Sequence, residues 1–213
     1  MSKAIENHHF FTGKAGMEID YYISLSSPYT YMGHARFEEM AKAHALTVNY
    51  RTLSSPEVLA AAGTLALAKR PPSRLAYRMM ELKRWRSHLG LSFNLEPRFF
   101  PVPDIDAARM VVGAIQAGAH PGALVWAFLR AVWEQERDIT DLATRKAIVT
   151  ETGLDAGDIA QRAQGPGVAA GIEENTQHAI ASQVFGYPTW KLDGELFWGQ
   201  DRLDFLEQAL KRA

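Results

Sequence analysis

A small α/β sheet split by an all-helical insertion is the fold this chain predicts, and three observations predict it. A strand, a sharp turn, a helix and a second strand occupy residues 18–53. From Ser55 to about Gly165 the sequence carries almost no strand pattern. A helix, two short strands and a closing helix then fill residues 167–211.

Each element has a local reason. Glu18–Leu25 alternates weakly and is rich in Tyr and Ile, which predicts a strand. Pro28 suits the first turn of a helix, where its missing N–H costs nothing. Tyr31–His44 reads as that helix, with Tyr31, Ala35, Met40 and Ala43 on its inner side. Thr47–Leu53 is the second strand, and the helical crossover makes the pair parallel. Arg74–Leu89 is helical and stops at Gly90. Leu91–Pro103 is irregular, punctuated by Pro97, Pro101 and Pro103. Ile105–Ala119 and Gly122–Gln135 form a helix pair broken at His120-Pro121-Gly122. Leu142–Thr152 and Ala156–Gln164 are two shorter helices. Gly167–Val184 is a long helix. Pro188–Leu192 and Glu195–Trp198 are strands joined by Asp193-Gly194, a hairpin dipeptide. Leu203–Lys211 closes the chain. There is no internal repeat.

Composition narrows the function classes. With 213 residues, 47% hydrophobic and 22% charged, the chain suits one domain, or one domain with a sizeable insertion, around a proper core. A net charge of −1 argues against a nucleic-acid surface or a polybasic membrane anchor. No apolar run approaches the ~20 residues of a membrane span. The chain has no cysteine, which removes disulfides, thiolate metal sites and cysteine nucleophiles, and fits a reducing, cytoplasmic setting. Met1–Gly16 has no apolar signal-peptide core and reads as a flexible extension. The seven histidines show no ligand spacing, so no metal site is expected.

The turn Ser27-Pro28-Tyr29-Thr30 is the most informative stretch. A hydroxyl between strand and helix sits over unpaired backbone N–H groups and the positive end of a helix dipole. Taken alone, Ser27 is equally an N-cap serine worth about 1 kcal/mol to the fold.

Four motifs in order add to this. Ser27–Gly33 (S-P-Y-T-Y-M-G), Glu81–Trp85 (E-L-K-R-W), Phe185–Trp190 (F-G-Y-P-T-W) and Leu196–Leu203 (L-F-W-G-Q-D-R-L) resemble the corresponding segments of 2-hydroxychromene-2-carboxylate isomerases. The resemblance runs from about Ile19 to the C-terminus. It implies a thioredoxin-like fold with an all-helical insertion: residues 17–55 and 166–213 as the thioredoxin-like part, 56–165 as the insertion. Kappa-class glutathione transferases and periplasmic disulfide oxidoreductases share that architecture. The latter carry Cys-x-x-Cys where this chain has Ser27 and Thr30. Ser24 and Ser26 stand where the family has an Asp and an apolar residue, and Gln200 where it has Asn.

What the resemblance implies is a homodimeric isomerase with glutathione as cofactor and a small aromatic carboxylate as substrate. Thiolate addition, ring opening, bond rotation and elimination need no redox change. Ser27 would stabilise the thiolate rather than attack, because no His or Lys is placed by the sequence to deprotonate it. Ser26, Thr30 and Tyr31 are weaker candidates. Tyr187 and Pro188, in a cis-proline loop, would pair with the cysteinyl part as an added strand does. Trp198, Gly199, Gln200 and Asp201 would hold the γ-glutamyl end; Asp201 is also a plausible plain N-cap. Pro72, Trp85, Phe100 and Pro101 would line the substrate slot, with Trp85 equally at home in the core. A cation from Lys69, Arg70 and Arg74 would meet a carboxylate. Two rivals remain at this level: a kappa-type transferase or peroxidase, and a non-catalytic peptide- or partner-binding module.

Overall fold

The computed structural model describes residues 16–212; the extension expected at 1–16 lies, apart from Gly16, outside the described residues. The chain runs β1 (Glu18–Ile23), α1 (Pro28–Ala43), β2 (Thr47–Thr52), α2 (Ser55–Ala61), α3 (Pro72–His88), α4 (Ile105–Gln116), α5 (Gly122–Trp133), α6 (Leu142–Glu151), α7 (Ala156–Arg162), α8 (Pro166–Ala181), β3 (Thr189–Leu192), β4 (Glu195–Trp198) and α9 (Leu203–Leu210). Short 3₁₀ turns at Leu67–Lys69 and Gln200–Arg202 precede α3 and α9.

The sheet order is β2-β1-β3-β4. β1 and β2 are parallel, as their helical crossover requires, and β3 and β4 are antiparallel to their neighbours. The β3–β4 turn has both central residues at positive φ, Asp193 at 48° and Gly194 at 88°. This is the twist that a two-residue hairpin needs and that Asp-Gly tolerates best. Among the described residues α2 is the one α-helix the sequence pattern did not predict. Its seven residues are too few to show a helical period.

Alternation along β1 divides the interior. Ile19, Tyr21, Ile23 and Leu25 enter the main core with Trp190 of β3, α1, α4, α5 and α9. Tyr22 points the other way, into a smaller cluster with Leu53, Val58 of α2, Ala179 of α8, Val184 and Tyr187. The main core is continuous from the sheet to Ile148, Val149 and Ile159 of α6 and α7.

The inner face of α1 differs from the sequence expectation. Ala35 and Ala43 are exposed and Met40 is half-buried, whereas Thr30, Tyr31, Gly33, His34, Phe37 and Ala41 are buried. The physical reason is that α1 lies between the sheet and α5. It must be buried on two flanks, and His34 is a polar residue inside. The His34 ring lies between Tyr21 and Trp126, its Nε2 is 3.0 Å from the carbonyl of Gly122, and burial pushes its pKa down.

At Gly33, α1 approaches the turn before α9 closely. A Cβ there would lie 3.0 Å from Gln200 Cβ and 3.4 Å from the Trp190 ring. Gly33→Val is therefore expected to destabilise by about 2–3 kcal/mol through overpacking, or roughly 5–10 °C in Tm. Thermal unfolding followed by circular dichroism checks this; an unchanged Tm would show that the contact yields freely.

Candidate functional site

β1 ends under a tight turn, in which Ser27 N–H donates to Ser24 O at 3.2 Å. Ser27 is the N-cap of α1, with extended backbone (φ −79°, ψ 125°), and its Oγ accepts the Thr30 N–H at 3.2 Å. The capping role anticipated from sequence is present. The same hydroxyl donates across the site to Tyr187 O at 3.3 Å. The Tyr187–Pro188 peptide bond is cis. Two segments 160 residues apart are thus in direct contact through the two residues that sequence singled out.

The groups left over define what the site can bind. Neither Tyr29 N–H, in the first turn of α1, nor Tyr187 N–H has a hydrogen-bond partner among the described residues. Tyr187 therefore presents an unpaired N–H beside a C=O held only by the Ser27 hydroxyl, and the helix N-terminus presents an N–H beside that hydroxyl. Thr30 Oγ1 is buried without a hydrogen-bond partner among the described residues. Tyr31 is turned away, donating to Glu134 at 2.7 Å.

The third segment is tied to the second. Gly199 N–H donates to Pro188 O at 2.9 Å, joining the end of β4 to the proline loop. Trp198 is about half exposed and packs edge-on against Phe185, centroids 4.7 Å apart. Asp201 is exposed and paired with Arg202 at 2.9 Å. Gln200 behaves differently from the expectation. It is buried, and its Oε1 accepts from Arg36 at 3.1 Å, so the side chain faces α1.

The residues expected around a substrate slot are only partly gathered. Phe100 lies on Trp133 (centroids 4.8 Å) and carries the Arg78 guanidinium 5.2 Å above its ring; the Phe100–Pro101 bond is cis. Trp85 packs against the main core, edge-on to His88, which favours the packing role already weighed for it. Pro72 is exposed at the first position of α3.

One residue of the site was missed from sequence. Asp104, just before α4, is buried, and its Oδ2 accepts from Ser24 Oγ (2.7 Å), Ser26 N–H (3.2 Å) and Ser26 Oγ (3.3 Å). The pair of serines at 24 and 26, from which it receives hydrogen bonds, is the nearest thing to a trace of it in the sequence. Burial raises its pKa against the pull of those donors.

Comparison with known proteins follows the same lines. The family model described as a DSBA-like thioredoxin domain matches residues 18–211. The chain is 30% identical over 200 residues to the 2-hydroxychromene-2-carboxylate isomerase of Pseudomonas putida, covering 92% of this chain and 95% of that one. It is 28% identical over 194 residues to the enzyme of the same name from Sphingobium xenophagum, covering 90% and 97%. A solved 2-hydroxychromene-2-carboxylate isomerase superposes with a TM-score of 0.73 at 27% identity, covering 92% and 95%. Among the described residues no helix is long and apolar enough to cross a membrane.

Proposed function

This chain belongs to the DSBA-like thioredoxin domain family and, within it, to the 2-hydroxychromene-2-carboxylate isomerases; on that footing we propose that it is a glutathione-dependent isomerase of 2-hydroxychromene-2-carboxylate or a similar aromatic acid. The observation that carries the proposal is the 3.3 Å hydrogen bond from Ser27 Oγ to Tyr187 O. It brings a hydroxyl at a helix N-terminus and the carbonyl of the cis-proline loop to one point.

The available groups fit a tripeptide thiol. Tyr187 would hold the cysteinyl amide by its free N–H and its C=O. Backbone N–H groups near Gly199 and the Asp201 carboxylate would hold the γ-glutamyl end, while Gln200, occupied by Arg36, would brace that turn. Glutathione supplies, when bound, a sulfur nucleophile that adds reversibly to a conjugated system. Ser27 Oγ–H would leave Tyr187 O and turn to the sulfur, freeing that carbonyl for the incoming amide. With the Tyr29 N–H it would favour the ionised thiol, as hydrogen bonds and a helix N-terminus do. Ser27 is not the nucleophile in this scheme, since its partners are an N–H and a carbonyl rather than a base.

The first test is calorimetric titration with reduced and oxidised glutathione, followed by an absorbance assay with 2-hydroxychromene-2-carboxylate. Micromolar to low-millimolar binding of the reduced form, with isomerisation, is the expected result. A stable thioether formed from a halogenated aromatic would point instead to a transferase. No binding would turn the search to peptide partners.

A further inference from the structure

The insertion contributes one cation that the sequence argument passed over. Arg78 lies two turns into α3, on its half-buried side, and α3 rests against α1. Its guanidinium is stacked over Phe100 at 5.2 Å, and Phe100 is itself backed by Trp133. Tyr29 and Arg70 lie within electrostatic reach of it. Neither neutralises it. The nearest acid on its own helix, Glu81, is taken by Arg84. Among the described residues the Arg78 guanidinium has no carboxylate partner.

A half-buried, unpaired guanidinium is costly to keep, and burial correspondingly lowers its pKa. Its planar fork suits a carboxylate, and stacking on an aromatic ring pre-orients it. The other cations of this region are less well placed. Arg70 is committed to Leu65 O at 3.0 Å, and Lys69 and Arg74 are exposed. Tyr29 connects Arg78 to the site, because it directly follows Pro28 in the turn that begins with Ser27.

We propose that Arg78, held over Phe100, binds the carboxylate of the planar aromatic substrate. This rests on the isomerase reading above and names the residue that selects an acid. The γ-glutamyl end of the cofactor has its own turn at residues 199–201, so the tripeptide does not need this cation.

The test uses chromone-2-carboxylate, a planar acid that cannot isomerise, and its uncharged carboxamide. Binding to the full-length wild type is followed by calorimetry, and reduced glutathione is titrated separately. The wild type is expected to prefer the acid by about 10-fold or more, as a charge-assisted pair implies. Arg78→Gln abolishes that preference, Arg78→Lys keeps part of it, and neither changes glutathione affinity beyond about 2-fold. Acid binding unchanged in Arg78→Gln would overturn the proposal. So would a loss of glutathione affinity in its place, or a wild type that does not distinguish acid from amide. If glutathione fails to bind even the wild type while the Arg78-dependent acid preference persists, the cofactor reading falls and the carboxylate site stands.

Discussion

Ser27→Ala is expected to lower turnover about 100-fold while changing glutathione affinity by less than about 3-fold, because one preorganised donor to a developing or resident anion carries effects of 10²–10³ in rate. On the proposed reading the tripeptide would keep its contacts at Tyr187 and at the turn of residues 199–201, so its affinity is expected to be spared. The variant also loses the N-cap bond to Thr30 and the bond to Tyr187 O. That should cost about 1 kcal/mol, or some 2–4 °C in Tm. The absorbance of bound thiolate against pH gives the decisive readout: the apparent thiol pKa should rise in the variant. Unchanged turnover and an unchanged thiol pKa would reduce Ser27 to a cap.

Asp104→Ala is expected to cost about 2–4 kcal/mol, roughly 5–15 °C in Tm, because it leaves the Ser24 hydroxyl and the Ser26 N–H without their buried acceptor. Catalysis should fall with it, since those residues form the turn that aims Ser27. The pH dependence has a definite sign. Burial raises the Asp104 pKa in the folded protein. Between its ordinary value near 4 and the raised one, the folded state binds more protons than the unfolded state. The stabilisation linked to that proton is complete below about pH 4 and is lost as pH rises through the folded value. The wild type should therefore gain Tm relative to Asp104→Asn as pH falls from 7.5 toward 4.5. A difference that stays flat, or runs the other way, would mean that the carboxylate is comfortable in its pocket.

Much of the fold was legible because its signals are local. The Asp193-Gly194 hairpin follows from backbone preference, and the parallel pairing of β1 and β2 from the length and helicity of their connection. The helix boundaries of the insertion follow from its prolines and glycines. Burial on α1 was less legible. A one-sided apolar stripe is a fair expectation for a helix on a sheet, but α5 covers a second flank, and His34 becomes an interior residue by gaining ring contacts and the Gly122 carbonyl.

The candidate site divides in the same way. Ser27, Tyr187 and the turn at 198–201 announce themselves through short motifs whose residue types are needed by the backbone itself. Asp104 and Arg78 do not, because nothing within several residues of either reveals what it faces. By itself the sequence determined the order of the elements apart from α2, the absence of cysteine chemistry and the location of the Ser27 turn, all of which depend on neighbours along the chain. Only the tertiary structure decided that Gln200 turns inward to Arg36, that an acid just before α4 sits beneath the Ser24–Ser26 turn, and that Arg78 is left over Phe100 without a counter-ion among the described residues. Those outcomes depend on which distant groups arrive at the same place, and pairing and burial exist only once the chain has folded.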